Sequence, residues 1–339
     1  MARNGSFLIK TKFIFKRQSE VSKFASEVYQ LSYDHILPTA FGIGGVWNLL
    51  IIIYFVKVNF RRLKKMSSYH FLVIHLALTD LLTCTSSAIF PQYVGQNWQM
   101  GEFMCIIILA VGKNIVPMVS TITLIFISYS RYRVIVHPFQ PKISKTKAAL
   151  MCLAAWALAC LSHIHSLMNS KLQRGYGPVC QIIMNMEQFL TKSIVQHIFD
   201  SFVPLGIMFY LYYKIQKSLN AEQNSNNFQL TDQSRQRNQT ALRTVRGLIF
   251  LFAITVIPVR CLALISLAFG MYAFKSRPLF STMLFTYNML MDPIMIFTLN
   301  MNYVLNIFIY AKMIPGFRKF LLTVFTLGMY GGCGQRTVA

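Results

Sequence analysis

Four charged residues interrupt apolar runs that are each long enough to cross a membrane: Asp80, Lys113, Asp200 and Arg260. A charge in such a run is costly, so it usually faces a partner or a water-filled cavity. Two kinds of chemistry fit this pattern, namely recognition of a charged ligand and ion pairing between helices. Two cations and one acid among the last three residues favour an anionic or carboxylate-bearing ligand over an amine.

Helix geometry predicts that three of these charges lie at a similar height. Lys113 precedes Arg131 by eighteen residues, which is five whole turns and roughly 27 Å. Asp200 and Arg260 each lie fourteen residues from a basic residue at the far end of their runs, or roughly 21 Å. We therefore expect Lys113, Asp200 and Arg260 to line a ligand pocket. The alternative is that Lys113 or Arg260 pairs with Asp200 only to hold helices together.

No arrangement typical of catalysis is present in the sequence. It contains no Ser/His/Asp set, no phosphate-binding loop and no paired carboxylates. His163 and His165 have no Cys or acid at the spacing of metal ligands, so we expect them to pack between helices. The sequence therefore predicts that the protein is not an enzyme.

The overall composition identifies the elements that carry the charges. The chain has 339 residues, of which 55% are apolar and 13% charged, with a mean hydropathy of +0.47. A soluble protein would carry about 25% charged residues. Seven cysteines are too few for a disulfide scaffold of this length, and the high apolar content excludes a disordered chain. The remaining class is an all-α integral membrane protein.

Seven segments of the chain have the length and hydropathy of membrane-spanning helices. They are residues 36–56, 69–90, 103–129, 148–170, 193–213, 247–269 and 293–311, called spans one to seven below.

Basic residues are distributed unevenly between the two sides of these spans. Twenty Lys/Arg and only two acids follow spans one, three, five and seven, whereas eleven Lys/Arg lie on the other side. An excess of Lys/Arg marks the cytoplasmic side, so we expect the N-terminus outside and the C-terminus inside. The net charge of +23 thus reflects topology rather than nucleic-acid binding. Asn4 would then be a glycosylation acceptor on the outer tail, and Cys333 a palmitoylation candidate.

The spans also carry residues whose types and spacing are typical of one family. These are Asn48, the run Leu76-Ala77-Leu78-Thr79-Asp80, Trp98 seven residues before Cys105, Ser130-Arg131-Tyr132, Trp156, Pro204, Tyr212, Phe252, Pro258, Asn306, Tyr310 and Phe317. Over residues 37–322 the chain resembles the rhodopsin-like G-protein-coupled receptors. Asp292-Pro293 offers another match to the span-seven motif, but Phe317 follows Tyr310 at the distance that the family's eighth helix requires.

This resemblance implies a fold, a location and partners. The fold is a seven-transmembrane helix bundle with a short amphipathic eighth helix. Residues 1–35 would be an extracellular tail, 36–312 the receptor domain, and 313–339 the eighth helix and cytoplasmic tail. The protein would lie in the plasma membrane and transduce an extracellular ligand to a heterotrimeric G protein.

The resemblance also implies roles for particular residues. Cys105 and Cys180 would form the family's outer disulfide. A sodium ion, an allosteric rather than a catalytic cofactor, would be bound by Asp80, Ser120, Asn302 and Asn306. The residues matching those that couple to the G protein are Arg131, Tyr132, Tyr212, Phe252, Pro258, Asn306 and Tyr310.

Several positions depart from the family pattern. Ser130 replaces the acid before Arg131, and Asn238 occupies the place of its acidic partner in span six. Ile307 stands where a proline usually kinks span seven, and the interval from Cys105 to Arg131 is one residue longer than usual. Such departures leave open a receptor with constitutive or absent coupling. A small-anion transporter or channel using Lys113 and Arg260 is the alternative from another class.

Overall fold

The computed structural model describes residues 20–60, 67–93, 98–174, 178–183, 185–224, 232–273 and 278–327. The predictions for Asn4 and Cys333 lie outside these residues. Within the described ranges, seven helices are long and apolar enough to cross a membrane, which confirms the predicted fold class. They are Glu20–Val58, Ser68–Ile89, Gly101–Val136, Lys145–Ser162, Thr191–Ala221, Asn238–Ala268 and Leu290–Met313.

The individual elements have the following bounds, in chain order. The helices of the first three spans are Ser32–Ile36 and Leu37–Phe60 in span one, Ser68–Tyr93 in span two, and Gly101–Cys105, Ile106–Ile115 and Val116–Val136 in span three. Span four is Lys145–Ser162, followed by the short helix Ile164–Asn169, and span five comprises Met186–His197, Ile198–Phe202 and Val203–Asn224. Span six is Asp232–Ala273, span seven comprises Pro278–Val304 and Asn306–Met313, and the eighth helix is Pro315–Leu327. Two strands, β1 (Ser170–Arg174) and β2 (Pro178–Ile182), pair antiparallel between spans four and five.

Helix ends differ from the predicted spans in several places, with the longest extension in span one and a shortening in span four. The helix of span one begins at Glu20 instead of residue 36, so it extends into the predicted outer tail. Span four ends at Ser162, eight residues before the predicted end, because the chain turns at His163. The amide of His163 still donates to Ala159 O, but its carbonyl accepts from both Ser166 and Leu167, which starts a new short helix. Hydropathy alone does not reveal this turn.

Span three contains a π-helical stretch, Ile106–Ile115, after which the amide of Val116 donates to Val111 O, five residues back. A π-helix has a wider turn than an α-helix and so accommodates the extra residue that distinguishes span three from the family pattern. The height of Lys113 above Arg131, which assumes a regular α-helix, is therefore correct only for the part of the span from Val116 to Arg131. From Val116 to Val136 the helix is α-helical, with Arg131 in its last two turns.

The largest buried cluster joins the halves of the spans that lie nearer to Arg131. Leu76, Leu124 and Phe252 belong to it and are almost completely buried. Many other apolar side chains face outward, for example Leu153 (65% exposed) and Phe250 (64% exposed), as expected of a bundle whose outer surface contacts lipid.

Small residues allow the spans to approach closely. At Gly44 in span one, a Cβ atom would lie 2.6 Å from Val304 Cγ2 of span seven and 3.0 Å from Cys84 Sγ of span two. A larger residue at this position therefore requires the Val304 and Cys84 side chains to shift. At Gly42, two residues earlier, no atom lies within 4 Å of the same hypothetical Cβ.

Candidate functional site

The predicted disulfide between Cys105 and Cys180 is present and marks one end of the bundle. Its S–S distance is 2.01 Å, and it joins span three to β2. Both cysteines are buried in one cluster with Trp98, whose indole Nε1 donates to Gly101 O (2.7 Å). The side chains described next lie toward this disulfide end of the bundle.

Asp200 lies among basic side chains contributed by three spans. Its Oδ2 is 3.5 Å from His163 Nε2 at the turn after span four. Arg260 of span six and Lys192 of span five interact with its carboxylate electrostatically, and the Gln196 side chain hydrogen-bonds to it. Asp200 and Arg260 therefore lie within electrostatic reach of each other. His163 is a close neighbour of Asp200 that the sequence did not indicate, because it was expected only to pack, and neither of its ring nitrogens makes a hydrogen bond in the described part of the chain.

Arg260 has fewer polar contacts than Asp200 in the described part of the chain. Its Nη1 lies 3.4 Å from His197 Nδ1, and its Nε is buried without a hydrogen-bond partner among the described residues. No oxygen of Asp200 lies within 4 Å of its guanidinium. The guanidinium thus retains donor capacity at the disulfide end of the bundle.

Lys113 lies near a different acid from the one predicted. It interacts electrostatically with Asp292, which lies in the middle of the helix Pro278–Val304 of span seven. Its neighbour Asn114 accepts a hydrogen bond from Gln196 Nε2 (3.3 Å), which links spans three and five at this height. Sequence reasoning missed Asp292 because it directly precedes the apolar segment 293–311 and was placed at the edge of the span.

After Asp292, Lys192 is the second charged residue that the structure adds to the predicted set of Lys113, Asp200 and Arg260. Its Nζ donates to Ser166 Oγ (2.7 Å), so it bridges span five to the short helix after span four. The charged side chains at the disulfide end thus form two groups, which together hold three cations and two acids. Lys192 and Arg260 accompany Asp200, and Lys113 accompanies Asp292.

The centre of the bundle contains a buried polar group around Asp80. The Ser120 hydroxyl donates to Asp80 Oδ1 (2.5 Å), and Asn306 Nδ2 donates to Asp80 Oδ2 (2.6 Å). Asn302 is also buried, and its Nδ2 has no hydrogen-bond partner among the described residues. Carboxylate and hydroxyl oxygens are the ligands that a small hard cation prefers, so this set of residues fits a sodium ion in chemical type.

Span seven is interrupted directly before Asn306. The helix Pro278–Val304 ends, Leu305 forms a turn, and a new helix begins at Asn306. The amide of Phe308 donates to Leu305 O, three residues back, as in a tighter turn. The span is therefore irregular here even though Ile307 replaces the family's proline. The contact between Asn306 and Asp80 supports the match of the family motif to Asn306 and Tyr310 rather than to Asp292-Pro293.

At the opposite end of the bundle, Arg131 is held by an aromatic ring. Its Cζ lies 3.4 Å from the centroid of the Tyr69 ring of span two. No carboxylate oxygen lies within 4 Å of its guanidinium among the described residues, and its Nε has no hydrogen-bond partner there. This agrees with the replacement of the two family acids by Ser130 and Asn238. The motif positions gave no indication of Tyr69.

The other predicted coupling residues divide into two groups. Phe252 and Tyr310 are buried in the large inner cluster, and Tyr212 packs against it. The Tyr132 hydroxyl instead contacts His137 Nε2 (3.1 Å), and its ring packs on a separate small cluster that includes Ile215. Pro258 lies within the helix Asp232–Ala273, as predicted for span six.

A cavity of about 600 Å³ opens beside Arg131 at this end. Spans one, two, three and six and Ile314, directly before the eighth helix, contribute to its wall. Its polar lining residues are Tyr54, Tyr69, His70, Arg131, Gln236, Thr240 and Thr244. The cavity therefore exposes Arg131 of span three at the end of the bundle opposite the disulfide.

Seven spans, a disulfide at one end of the bundle, a buried Asp80 at its centre and an arginine beside a cavity at the other end describe a seven-helix membrane protein. Comparison with known proteins specifies the family. Residues 47–310 match the 7 transmembrane receptor (rhodopsin family). The match covers more than half of the chain, and the chain belongs to this family of G-protein-coupled receptors, which are multi-pass proteins of the plasma membrane.

Individual relatives are more distant. The chain is 24% identical over 301 residues to the type-1 angiotensin II receptor A of Xenopus laevis, covering 85% of this chain and 77% of that receptor. It is 26% identical over 234 residues to the type-1 angiotensin II receptor B of Xenopus laevis, covering 66% of this chain and 61% of that receptor. It is 26% identical over 241 residues to the neuropeptide Y receptor type 2 of Sus scrofa, covering 66% of this chain and 59% of that receptor.

Proposed function

We propose that the protein is a receptor that couples an extracellular anionic ligand to a heterotrimeric G protein. The N-terminus and the disulfide end face outside in this proposal, and the cavity beside Arg131 faces the cytoplasm. The excess of Lys/Arg in the segments at the Arg131 end supports this orientation. The cavity of about 600 Å³ at that end supports coupling, since it offers a concave surface to a G protein.

The proposed negative charge of the ligand rests on one observation, the excess of cationic over acidic side chains at the disulfide end of the bundle. The Nε of Arg260 is buried without a hydrogen-bond partner among the described residues, and the two groups of charges at this end together hold three cations and two acids. A carboxylate or phosphate of a ligand accepts charge-assisted hydrogen bonds from a guanidinium better than water does in such a site. The relatives' names include angiotensin II, neuropeptide Y, a C-C chemokine and an opsin, so kinship alone does not select among ligand classes.

Activation is a shift in population between two packed arrangements of the bundle. A ligand bound to Arg260 and Lys113 contacts spans six and three, and through Asp200 and Asp292 it also affects spans five and seven. Any arrangement that brings these spans closer around the ligand is favoured by its binding energy. Because helices are stiff, movement at this end is transmitted to the cavity beside Arg131.

Asp80 lies between the two ends and is the candidate sodium site. Asp80 and Ser120 would supply oxygen ligands, and Asn302 and Asn306 would complete the polar environment. A bound sodium ion would balance the charge of the Asp80 carboxylate. The Asp80 hydrogen bonds to Ser120 and Asn306 already hold spans two, three and seven in one arrangement.

The anionic-ligand proposal is tested with paired probes and variants. Peptides and small acids with a free carboxylate are screened beside the same compounds as amides. A carboxylate-specific agonist should lose roughly tenfold to a hundredfold in potency on Arg260→Met and Lys113→Met, since each substitution removes a charge-assisted contact. Asp200→Asn should leave potency unchanged or improve it. Lys171→Met, an exposed basic residue of β1, is the matched control.

Surface expression measured on the same variants separates ligand binding from helix bracing. If the charges only hold the helices together, each variant strands a buried partner, and surface level falls while the potency of the remaining receptor is unchanged. That pattern, or an amine agonist that requires Asp200, contradicts the anionic-ligand proposal. Coupling itself is tested by nucleotide exchange on purified G protein, and no exchange under any condition contradicts it.

A further inference from the structure

Thr240, near the start of span six, lies in a sequence of the kind that protein kinases with a preference for basic substrates recognise. Arg237 and Arg235 stand three and five residues before it, in the run Arg-Gln-Arg-Asn-Gln-Thr at residues 235–240. Kinases select their substrates largely by such charge patterns around the acceptor hydroxyl. With the proposed orientation of the receptor, this segment faces the cytoplasm, where kinases and ATP are available. The sequence thus marks Thr240 as a candidate acceptor of phosphate.

The Thr240 hydroxyl is accessible to a kinase. The side chain is exposed, and its Oγ1 donates a hydrogen bond only within its own helix, to the carbonyl of Gln236 (2.9 Å). No apolar residue occurs from Asp232 to Thr240, whereas Ala241 already packs against Ile215 of span five. The first turns of the helix therefore lack apolar side chains that could anchor them, and such helix ends open at little cost in free energy. A kinase can thus bind this segment in an extended conformation.

Thr240 also lines the cavity of about 600 Å³ that contains the side chain of Arg131. Among the described residues, no acidic side chain lines this cavity. The guanidinium of Arg131 has no carboxylate oxygen within 4 Å in this part of the chain, and its Nε is buried there without a hydrogen-bond partner. The cavity therefore offers the donors of a cation and no anion to accept from them.

We propose that Thr240 is phosphorylated by a Ser/Thr kinase that recognises basic substrates, and that the phosphate binds Arg131. In the transfer, Thr240 Oγ1 forms a bond to the γ-phosphorus of ATP, and the bond from that phosphorus to the oxygen of ADP breaks. The hydroxyl proton passes to a base of the kinase, and ADP leaves. The modified side chain carries roughly two negative charges and three strong acceptor oxygens.

The contact with Arg131 replaces one that the sequence lacks. Asn238 stands where the family has the acidic partner of Arg131, and its side chain does not line the cavity, whereas that of Thr240 does. A phosphate on Thr240 extends into the space beside Arg131, and phosphate oxygens accept two parallel hydrogen bonds from a guanidinium. Charge-assisted hydrogen bonds of this kind are about twice as strong as neutral ones. The phosphate therefore holds span three to span six.

The phosphate also affects coupling, a consequence that rests on the proposed function. A G protein would insert into the same cavity, so the phosphate occupies part of its site and competes for Arg131. Phosphorylation should therefore suppress coupling. The rival partner of the phosphate is Arg243, which is exposed three residues further along the same helix. A phosphate bound to Arg243 would lie on the helix surface and leave the cavity open.

The first test asks whether Thr240 is phosphorylated. The purified full chain in detergent is incubated with ATP, Mg²⁺ and recombinant protein kinase B, and the modified residues are located by peptide mass spectrometry. Thr240 should be the main site, and Arg237→Gln should slow its labelling roughly tenfold, since the substitution removes a charge that the kinase reads. Absence of phosphate on Thr240, or labelling that Arg237→Gln leaves unchanged, would overturn the assignment of the site.

The second test asks whether the phosphate binds Arg131, and it needs neither a ligand nor a G protein. Phosphorylation should raise the melting temperature of the receptor by roughly 2–4 °C through the added contact. The increase should disappear in Arg131→Gln and persist in Arg243→Gln, the matched control. The reverse pattern would place the phosphate on the helix surface and contradict the proposal. A failure of the proposed function leaves this measurement unaffected.

The third test uses acidic substitutions to measure the effect on coupling. Thr240→Glu should lower ligand-free nucleotide exchange roughly tenfold relative to Thr240→Gln, which has the same shape without the charge. Gln239→Glu adds the same charge one residue earlier, where the side chain does not line the cavity, and should change exchange less than twofold. Equal losses for Thr240→Glu and Gln239→Glu would show a general effect of charge at this end of span six, and would refute a specific contact in the cavity.

Discussion

Replacing Tyr69 should increase signalling in the absence of ligand. Tyr69 is the one aromatic ring within cation–π distance of Arg131 in the described part of the chain, with 3.4 Å between the guanidinium carbon and the ring centroid. Both residues line the inner cavity, where a G protein would insert, so a bound G protein competes with their contact. The contact therefore favours the arrangement without a G protein. Tyr69→Leu removes the ring and leaves an apolar side chain of moderate size.

The size of the effect follows from the strength of a cation–π contact. Such a contact contributes about 0.5–2 kcal/mol, toward the upper end when the pair is shielded from water. Both side chains are half-buried, and no carboxylate within 4 Å competes for the guanidinium. Losing the contact should shift the population toward the inner-open arrangement by roughly twofold to thirtyfold.

The assay is ligand-free nucleotide exchange on a G protein at matched surface expression. Tyr69→Phe is the control, because it keeps the ring face and removes only the hydroxyl, and it should behave as the unsubstituted receptor does. Ser130→Asp restores an acid next to Arg131, so it should lower basal activity by itself. Combined with Tyr69→Leu, it should reverse most of the increase.

Two results would refute this reasoning. Basal activity of Tyr69→Leu equal to that of the unsubstituted receptor would mean that the ring does not restrain Arg131. An equal increase in Tyr69→Phe and Tyr69→Leu would assign the effect to the hydroxyl rather than to the ring face. An unchanged or higher basal activity of Ser130→Asp would show that an acid at this position does not hold the arginine.

Three further predictions concern stability. Cys105→Ser and Cys180→Ser should each abolish surface expression or ligand response with no added effect in the double variant, and finding both thiols free in surface protein by mass spectrometry would contradict the bond. Gly44→Ala should destabilise the detergent-solubilised receptor by about 1–3 kcal/mol through overpacking, whereas Gly42→Ala should not; equal melting temperatures would contradict the close approach of the spans. Sodium should raise the melting temperature relative to potassium, and Asp80→Asn should remove this difference; a sodium effect that survives the substitution would place the ion elsewhere.

Local sequence information predicts those parts of this fold that depend on hydropathy and motif spacing. Long apolar runs identify seven spans because a helix that crosses lipid must be apolar along its whole length. Arg131, Asn306 and the disulfide cysteines are recognisable since their positions relative to neighbouring motif residues are fixed. The turn at His163 is not recognisable in this way, because it interrupts the helix without proline or glycine in a stretch that stays apolar.

Contacts between spans require the tertiary structure. Asp292 precedes the apolar segment of span seven and therefore has the appearance of a loop residue, yet it lies within electrostatic reach of Lys113. Tyr69 begins span two, 62 residues before Arg131, and no spacing rule connects them. Sequence reasoning did indicate that Arg131 lacks its usual acids. What it could not supply is the side chain that replaces them.

Basic side chains have different neighbours at the two ends of the bundle. At the disulfide end, acids are available from spans five and seven, and Asp200 and Asp292 each have basic neighbours. At the other end, the groups that hold the arginines of span three are not acids: Arg131 lies over a ring, and Arg133 donates to a backbone carbonyl. A ring and a carbonyl orient a guanidinium without neutralising it. The positive charge at this end thus stays available to partners outside the chain, which is consistent with the proposed binding of a G protein at the cavity.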